Sequence, residues 1–284
     1  MRDILVLTIV VAGALVALRR PWIGVMLWTW LSIMNPHRFA WGIAYTAPLA
    51  AVAAGATLIG LLFTSERQNP FQGRPVYWLA LFSIWITINW LYGFDPAADY
   101  PIWDKVIKVF FMTFVTLMLL VDRSRLVVFA WVTIGSMAFL SANGGFNTII
   151  TGGNFRVWGP PGSFIADNND FALATTIAIP MVYFLFSVTK HKWVRYGLIV
   201  VIALSIVCVL GTHSRGGFLA LLAMGLLLWI RSSNKLVISL LILLLVSAYI
   251  PTLPDYWWDR MQSIQQFETD PSAMGRINAW IVAW

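Results

Sequence analysis

Charged side chains are scarce in this 284-residue chain: Asp, Glu, Lys and Arg together make up 11%, against about a quarter in an ordinary soluble domain. That deficit excludes a soluble globular fold. Cysteine is nearly absent too. The single one, Cys208, lies in an apolar run, so neither a disulfide framework nor a thiolate metal site can be built. Only three histidines occur (His37, His191, His213), with no H-x-x-x-H pair, which makes a histidine metal cage improbable. No G-x-S-x-G elbow, Walker loop, Rossmann fingerprint or pair of metal-binding carboxylates is present, and a soluble-type ATPase or dehydrogenase is excluded to that extent. Nor is there a basic domain, an internal repeat, a heptad pattern or a long linker. Nothing in the chain addresses nucleic acid.

What is abundant is apolar sequence. Hydrophobic residues make up 60% and the mean hydropathy is +0.78. A helix needs roughly 20 residues to cross the hydrocarbon of a bilayer, and ten runs with little or no charge qualify or nearly do. They are Ile4–Leu18, Pro21–Met34, Ile43–Phe63, Val76–Tyr92, Trp103–Val121, Leu126–Ser141, Phe171–Val188, Val194–Leu210, Gly211–Ile230 and Leu236–Ile250. The first, second and last are short. The expected fold class is therefore all-α, a polytopic integral membrane protein of about ten transmembrane helices. Any chemistry must sit in its loops or between its helices.

The start Met1-Arg2-Asp3 is net neutral and Arg19-Arg20 follow the first apolar run, the reverse of a secretory signal's polarity. This predicts a retained helix with its N-terminus on the outer, periplasmic side. If the runs alternate, the loops around Arg19-Arg20, Arg67 to Arg74, Arg123 to Arg125, Lys190 to Arg195 and Arg231 to Lys235 lie together. They hold 11 of the 19 Lys and Arg residues and only Glu66 and Asp122 of the acids. Lys105 and Lys108, on the other side, fall within the end of a helix. The basic side reads as cytoplasmic, and most of the net charge of +7 is this signal. Many of the 16 tryptophans, among them Trp22, Trp41, Trp103, Trp193 and Trp229, sit near run ends. Interfacial anchoring accounts for most of them.

Three unusual segments then share the outer side. The longest loop, Ala142 to Asp170, reads ANGGFNTIITGGNFRVWGPPGSFIADNND. Gly144-Gly145, Gly152-Gly153 and Gly159-Pro160-Pro161-Gly162 punctuate it into turns. Such a loop can bring backbone N–H groups to an anion beside Arg156, or it is a plain connection with glycines for geometry. One of Asp167, Asn168, Asn169 and Asp170 is expected to cap the next helix. The second segment is Gly211 to Phe218, GTHSRGGF. A full span here has to start near Gly211 and carry Arg215 inside its outer end; an arginine costs about 2.5 to 3.5 kcal/mol at mid-bilayer on insertion scales, and less near the interface. Ser214 as an N-cap, the helix dipole and the guanidinium together suit a phosphate, and Gly216-Gly217 let a bulky anion approach the backbone. A snorkelling arginine is the plainer alternative. His213 is a candidate proton carrier beside that anion, or an incidental loop histidine. The third segment follows the last run. Trp257, Met261 and Ile264 share a face of a surface-lying helix over Asp255 to Gln266, and Arg276 begins another helix.

At these residues the chain resembles the O-antigen ligase and polymerase superfamily of bacterial inner-membrane glycosyltransferases, and more narrowly the O-glycosylation ligases associated with exosortase-A systems. The resemblance runs over Met1-Arg2-Asp3 with Arg19 to Gly24, Asn35-Pro36-His37-Arg38, Trp103-Asp104-Lys105-Val106, Arg156 to Phe164, Gly211 to Gly216 and Ala273-Met274-Gly275-Arg276. It implies a glycan carried on undecaprenyl diphosphate and transferred to a periplasmic acceptor, metal-independent and without a cofactor. It maps the diphosphate contacts to Arg215 and Arg276, the first in a Ser-Arg-Gly element that begins at Ser214. On the residues themselves, Arg156 and the glycine-rich loop are expected to shape the sugar side, with Asn168 and Gly216 as further substrate-side candidates. The acceptor-activating histidine of the superfamily is expected beyond Trp284, in a longer protein of which this is a fragment. Expected partners are the lipid-linked glycan, its lipid or protein acceptor and membrane lipids.

The domain organisation implied is a six-span bundle over 1–141, a periplasmic glycine-rich loop over 142–170, a four-span ligase-like region over 171–250 and the start of a periplasmic region over 251–284. A polymerase uses the same donor with a different acceptor. A lipid-linked sugar transporter would carry deep charges and repeated halves, which are absent from the sequence. A non-catalytic remnant is the third alternative.

Overall fold

Hydrocarbon offers no water to backbone N–H and C=O groups, so a chain this apolar must close its hydrogen bonds inside helices. The computed structural model follows that requirement: among the described residues (1–232, 235–236, 254–255, 257–258 and 271–283) helices dominate and no strand forms. The chain divides into two units, Met1–Thr133 and Ile134–Trp284.

The first unit contains α1 (Arg2–Arg19), α2 (Pro21–Met34), a 3-10 turn at Pro36–Phe39, α3 (Ile43–Thr46), α4 (Leu49–Phe63), α5 (Arg74–Leu91), α6 (Pro96–Leu119) and the beginning of α7 (Arg123–Ile150). Small residues let α1, α2 and α4 come close together. A Cβ on Gly24 would stand 2.1 Å from the Thr57 hydroxyl, and one on Gly60 would stand 2.3 Å from the Ala17 carbonyl. Val6, Val10, Leu27, Leu31, Leu49 and Ala53 fill the contact. α2 ends because Asn35 takes a left-handed conformation (φ 47°) and Pro36 follows. Asp3 then ties the chain start to the next segment by accepting the N–H groups of Gly42 (2.9 Å) and Ala44 (3.3 Å). α5 buries only Ser83 and meets α6 through the stacked rings of Trp90 and Trp103, 4.1 Å apart.

The second unit holds the remainder of α7, the loop after it, α8 (Asn168–Val188), α9 (Lys192–Gly211), α10 (Arg215–Arg231) and α11 (Pro271–Ala283). α8 and α9 form a helical hairpin. α7 lies against α9 so closely that a Cβ on Gly145 would come within 2.0 Å of the Leu204 carbonyl oxygen. One helical turn earlier the Ser141 and Ser205 hydroxyls meet at 2.7 Å.

Among the described residues three helices, α7, α8 and α9, are long and apolar enough to cross a membrane, and α2 and α4 are shorter apolar helices. Several expected boundaries move. The run Ile43–Phe63 is interrupted, because Pro48 separates α3 from the 15-residue α4. α6 begins earlier than Trp103, since Asp95 caps it by accepting the Ala98 N–H (3.0 Å) with Pro96 at the first position. Lys105 and Lys108 accordingly lie inside this helix, as expected, but near its middle and not at its end. α7 does not stop at Ser141. It continues to Ile150, so the loop expected from Ala142 starts only at Thr151, nine residues later. Gly144 and Gly145 are helix-packing glycines and not turns, because their missing Cβ atoms are what admits Cys208 and Leu204. Finally, Gly211 ends α9 and does not start α10, whose 17 residues begin at Arg215. The expected tenth run, Leu236–Ile250, lies outside the described residues apart from Leu236.

Candidate functional site

The helix start at Ser214 is built by its own sequence. Ser214 is extended (φ −87°, ψ 114°), its hydroxyl accepts the Gly217 N–H at 3.0 Å, and α10 begins at the next residue. The same hydroxyl donates to Asn169 Oδ1 at 2.7 Å. Just before it, His213 adopts a left-handed backbone (φ 55°) and is buried. That residue breaks the chain between α9 and α10, which is why no continuous span starts at Gly211.

Four further bonds lock this turn in place. The Asn168 amide donates to the Thr212 carbonyl (2.9 Å) and the Val157 N–H donates to the Gly211 carbonyl (2.9 Å). The His213 ring meets the Gly153 carbonyl through Nε2 at 3.1 Å, and because a carbonyl only accepts, Nε2 carries the proton. The Trp257 indole N–H donates to the Leu210 carbonyl at 3.1 Å. The loop after α7, the α8 start and the segment before α11 therefore converge on residues 210–214. The sequence expected these segments to share a side. Direct bonding among them was not legible.

The two glycines after Arg215 do different things. A Cβ on Gly217 would stand 2.5 Å from that of Ala172, so Gly217 serves the packing of α10 on α8. Gly216 is exposed, and only the Ser214 hydroxyl, 4.0 Å away, lies near the position of its missing Cβ. Its N–H, in the first turn of the helix, has no acceptor among the described residues. Beside it Arg215 is half-buried. A helix N-terminus with an open N–H and a guanidinium suits a phosphate oxygen.

The other expected residues fall as follows. Arg156 is half-buried, its guanidinium 5.6 Å from the centre of the Trp158 ring, one residue from the Val157 anchor. Asn168 is buried at 3% exposure and its amide is engaged with the turn, so it braces the site from within. Asp167 is the α8 cap, accepting the Asn169 N–H at 2.8 Å, and this hydrogen bond above all holds its carboxyl below the usual carboxylate range. Arg276 is exposed on α11 and makes no polar contact with the turn among the described residues. Trp257 departs from expectation. It is buried at 2%, packed edge-on against Phe218 and beside Leu210 and Leu221, instead of lying on a membrane surface, because its indole N–H finds the Leu210 carbonyl. Met261 and Ile264, its expected face-mates, are outside the described residues.

Sequence reasoning missed Asn169, Thr212 and Gly153 as parts of the frame. The run Asn168-Asn169 carried a signal, since only one cap is needed before α8 and a second polar side chain there is left to bond elsewhere. Gly153, at φ 76°, carried none beyond being a glycine.

No curated protein and no solved structure matches the chain. Residues 200–284, which contain the turn, α10 and α11, match the family described as O-Antigen ligase, and this supports the O-antigen ligase and polymerase superfamily and a membrane glycosyltransferase-like enzyme. The bonds from Asn168, Asn169, Gly153 and Val157 reach that region from residues belonging to a second match. Since that match covers residues 1–190, well over half of the sequence, the chain belongs to the family of unknown function DUF5935.

Proposed function

We propose that the chain is a membrane glycosyltransferase of the ligase type. It takes a glycan from an undecaprenyl-diphosphate carrier and transfers it to an acceptor at the periplasmic face of a bacterial inner membrane. The acceptor hydroxyl oxygen forms the new bond to the anomeric carbon and gives up its proton to a base or to water, while the bond from that carbon to the diphosphate oxygen breaks, with inversion. Negative charge develops on the departing diphosphate. Arg215 and the Gly216 N–H, at the positive end of α10, stabilise it. Ser214 keeps the helix start in register, Asn168, Asn169 and His213 hold the turn, and Arg156 with Trp158 lines the sugar side. Arg276 is assigned as the second guanidinium on the diphosphate, being exposed in the same matched region. The reading also carries ten spans with an outward N-terminus.

The observation that carries this reading is the braced α10 start with Arg215 at its first position, inside the region that matches O-Antigen ligase. Its test is glycan transfer by Arg215→Lys and Arg215→Ala at matched membrane levels. Lysine keeps the charge and loses the planar fork, so both variants should fall by about 100-fold or more, the equivalent of about 3 to 4 kcal/mol for one transition-state donor. Near wild-type transfer by Arg215→Lys would make the residue a membrane anchor, since lysine snorkels as well as arginine. A polymerase would use the same donor and the same arginine, so the acceptor supplied in the assay separates the two. Reporters fused after Arg67, Arg125 and Lys192 should read cytoplasm and one near Gly152 should read periplasm. If Gly152 and Lys192 report one side, the span count is wrong.

A further inference from the structure

We propose that a polar cavity in the first unit, bounded by the α1–α2 turn, the segment after α4 and the α6–α7 turn, binds the phosphodiester of an anionic phospholipid headgroup. The cavity has a volume of about 510 Å³, within the range of small-ligand sites. Its walls are fixed by the protein itself. Arg125 lies over the floor with only 13% of its side chain exposed, bonded to Glu66 through Nη2, to Asp122 through Nε at 2.9 Å and to the Leu119 carbonyl through Nη1 at 3.2 Å. Gln68 clamps the segment after α4 to the end of α6 by donating to the carbonyls of Leu117 (2.9 Å) and Leu120 (3.2 Å). The Trp22 ring stands 5.6 Å beneath the Arg125 guanidinium.

Charge selects the ligand. Both carboxylates lining the cavity already face Arg125, and Asp122 is further held ionised by the Ser124 hydroxyl and the Arg125 N–H. Arg19 and Arg20 also line it, and neither side chain has a hydrogen-bond or ion-pair partner among the described residues. Three arginines against Glu66 and Asp122 leave one positive charge, which a single phosphodiester neutralises through guanidinium forks. A zwitterionic headgroup would bring an ammonium with no uncommitted carboxylate to meet it.

The surroundings select a lipid over a free phosphate. Next to Arg19 and Arg20, α1 exposes Leu15 and Val16, and next to the cavity's other wall α4 exposes Leu62 and Phe63. Acyl chains can lie along these apolar surfaces while the phosphate sits among the arginines at headgroup depth. The site does not depend on the glycosyl transfer proposed above.

The test is lipid retention by the purified full chain in native mass spectrometry, after exchange into mixed micelles of detergent with phosphatidylglycerol, with phosphatidylethanolamine, or with inorganic phosphate alone. Phosphatidylglycerol should be retained, and the double variant Arg19→Gln with Arg20→Gln should lower its retention at least tenfold. The matched control Lys190→Gln with Lys192→Gln, which removes two exposed charges from another loop, should not. Equal loss in both doubles, unchanged retention in the arginine double, or equal retention of phosphatidylethanolamine would overturn the proposal. Binding of inorganic phosphate without retention of the lipid would overturn the lipid assignment. Should the double variant fail to fold, Arg19→Gln and Arg20→Gln separately carry the same readings.

Discussion

At the turn leading into α7, Arg125 is gripped by charge, with Glu66 and Asp122 both on its guanidinium and both carboxylates largely open to solvent. At the turn leading into α10 the frame beneath Arg215 is neutral: an amide to a carbonyl from Asn168, a hydroxyl to an amide from Ser214, an imidazole to a carbonyl from His213. The difference lies in burial. Ion pairs whose carboxylates stand open to solvent, as these do although Arg125 itself is largely covered, are screened by water and salt and are worth about 0 to 1 kcal/mol, whereas a neutral bond in a buried turn costs about 1 to 3 kcal/mol to break, because the group left behind cannot reach water. The charged turn is therefore tunable by salt. The neutral turn is a fixed support on which an arginine can be held ready for an anion.

Breaking the neutral frame at its closest packing should cost most. Gly145→Leu would drive a side chain into the Leu204 carbonyl, so α7 must move from α9. The expected loss is about 3 kcal/mol, at the upper end of overpacking penalties, read as a lower midpoint in detergent unfolding. A variant as stable as the parent would show that α7 is not seated on α9 as described.

Asn168→Ala comes next, orphaning the buried Thr212 carbonyl at an expected cost of about 2 kcal/mol, with the loss unchanged between low and high salt. Salt sensitivity here would erase the contrast between the turns. Glu66→Gln should cost about 1 kcal/mol or less at low salt, and nothing measurable at 1 M salt, where screening acts over only about 3 Å. A large, salt-independent loss would mean that the charged turn behaves as a buried one.

The smallest effect concerns pH. Burial, and then the charge of Arg38, lower the pKa of His37 below 6.5, and its Nδ1 has no partner among the described residues. The unfolded chain thus binds the proton more readily, so this stabilisation is present above pH 6.5 and is lost as the pH falls from there to the folded-state pKa. His37→Gln should flatten the stability profile in that window. A profile as steep as before would assign the slope to another group.

Much of the site was legible where chemistry is local. Ser214 as a cap, Asp167 in the polar run before α8 and the arginine after Ser214 all follow from short-range rules about helix ends. Lys105 and Lys108 inside a helix followed from the neighbouring apolar run. Where the reading failed, two physical causes compete for the same residue. Gly144-Gly145 looks like a turn and serves as a packing notch, and only the proximity of Leu204 and Cys208 separates the alternatives. Trp257 looks like the apolar face of a surface-lying helix until the Leu210 carbonyl is found within reach of its N–H.

By itself the sequence determined the solvent and the local ends: too few charges for water, apolar runs that must become helices, and residues that start or stop them. Those are properties of single segments, set by transfer free energy and backbone hydrogen bonding. Tertiary structure alone decided that α7 continues past Ser141, that Asn169 and Ser214 share a hydrogen, and that His213 points its proton at Gly153. Each depends on which carbonyl or hydroxyl a distant segment brings within about 3 Å, and no periodicity along the chain encodes that distance.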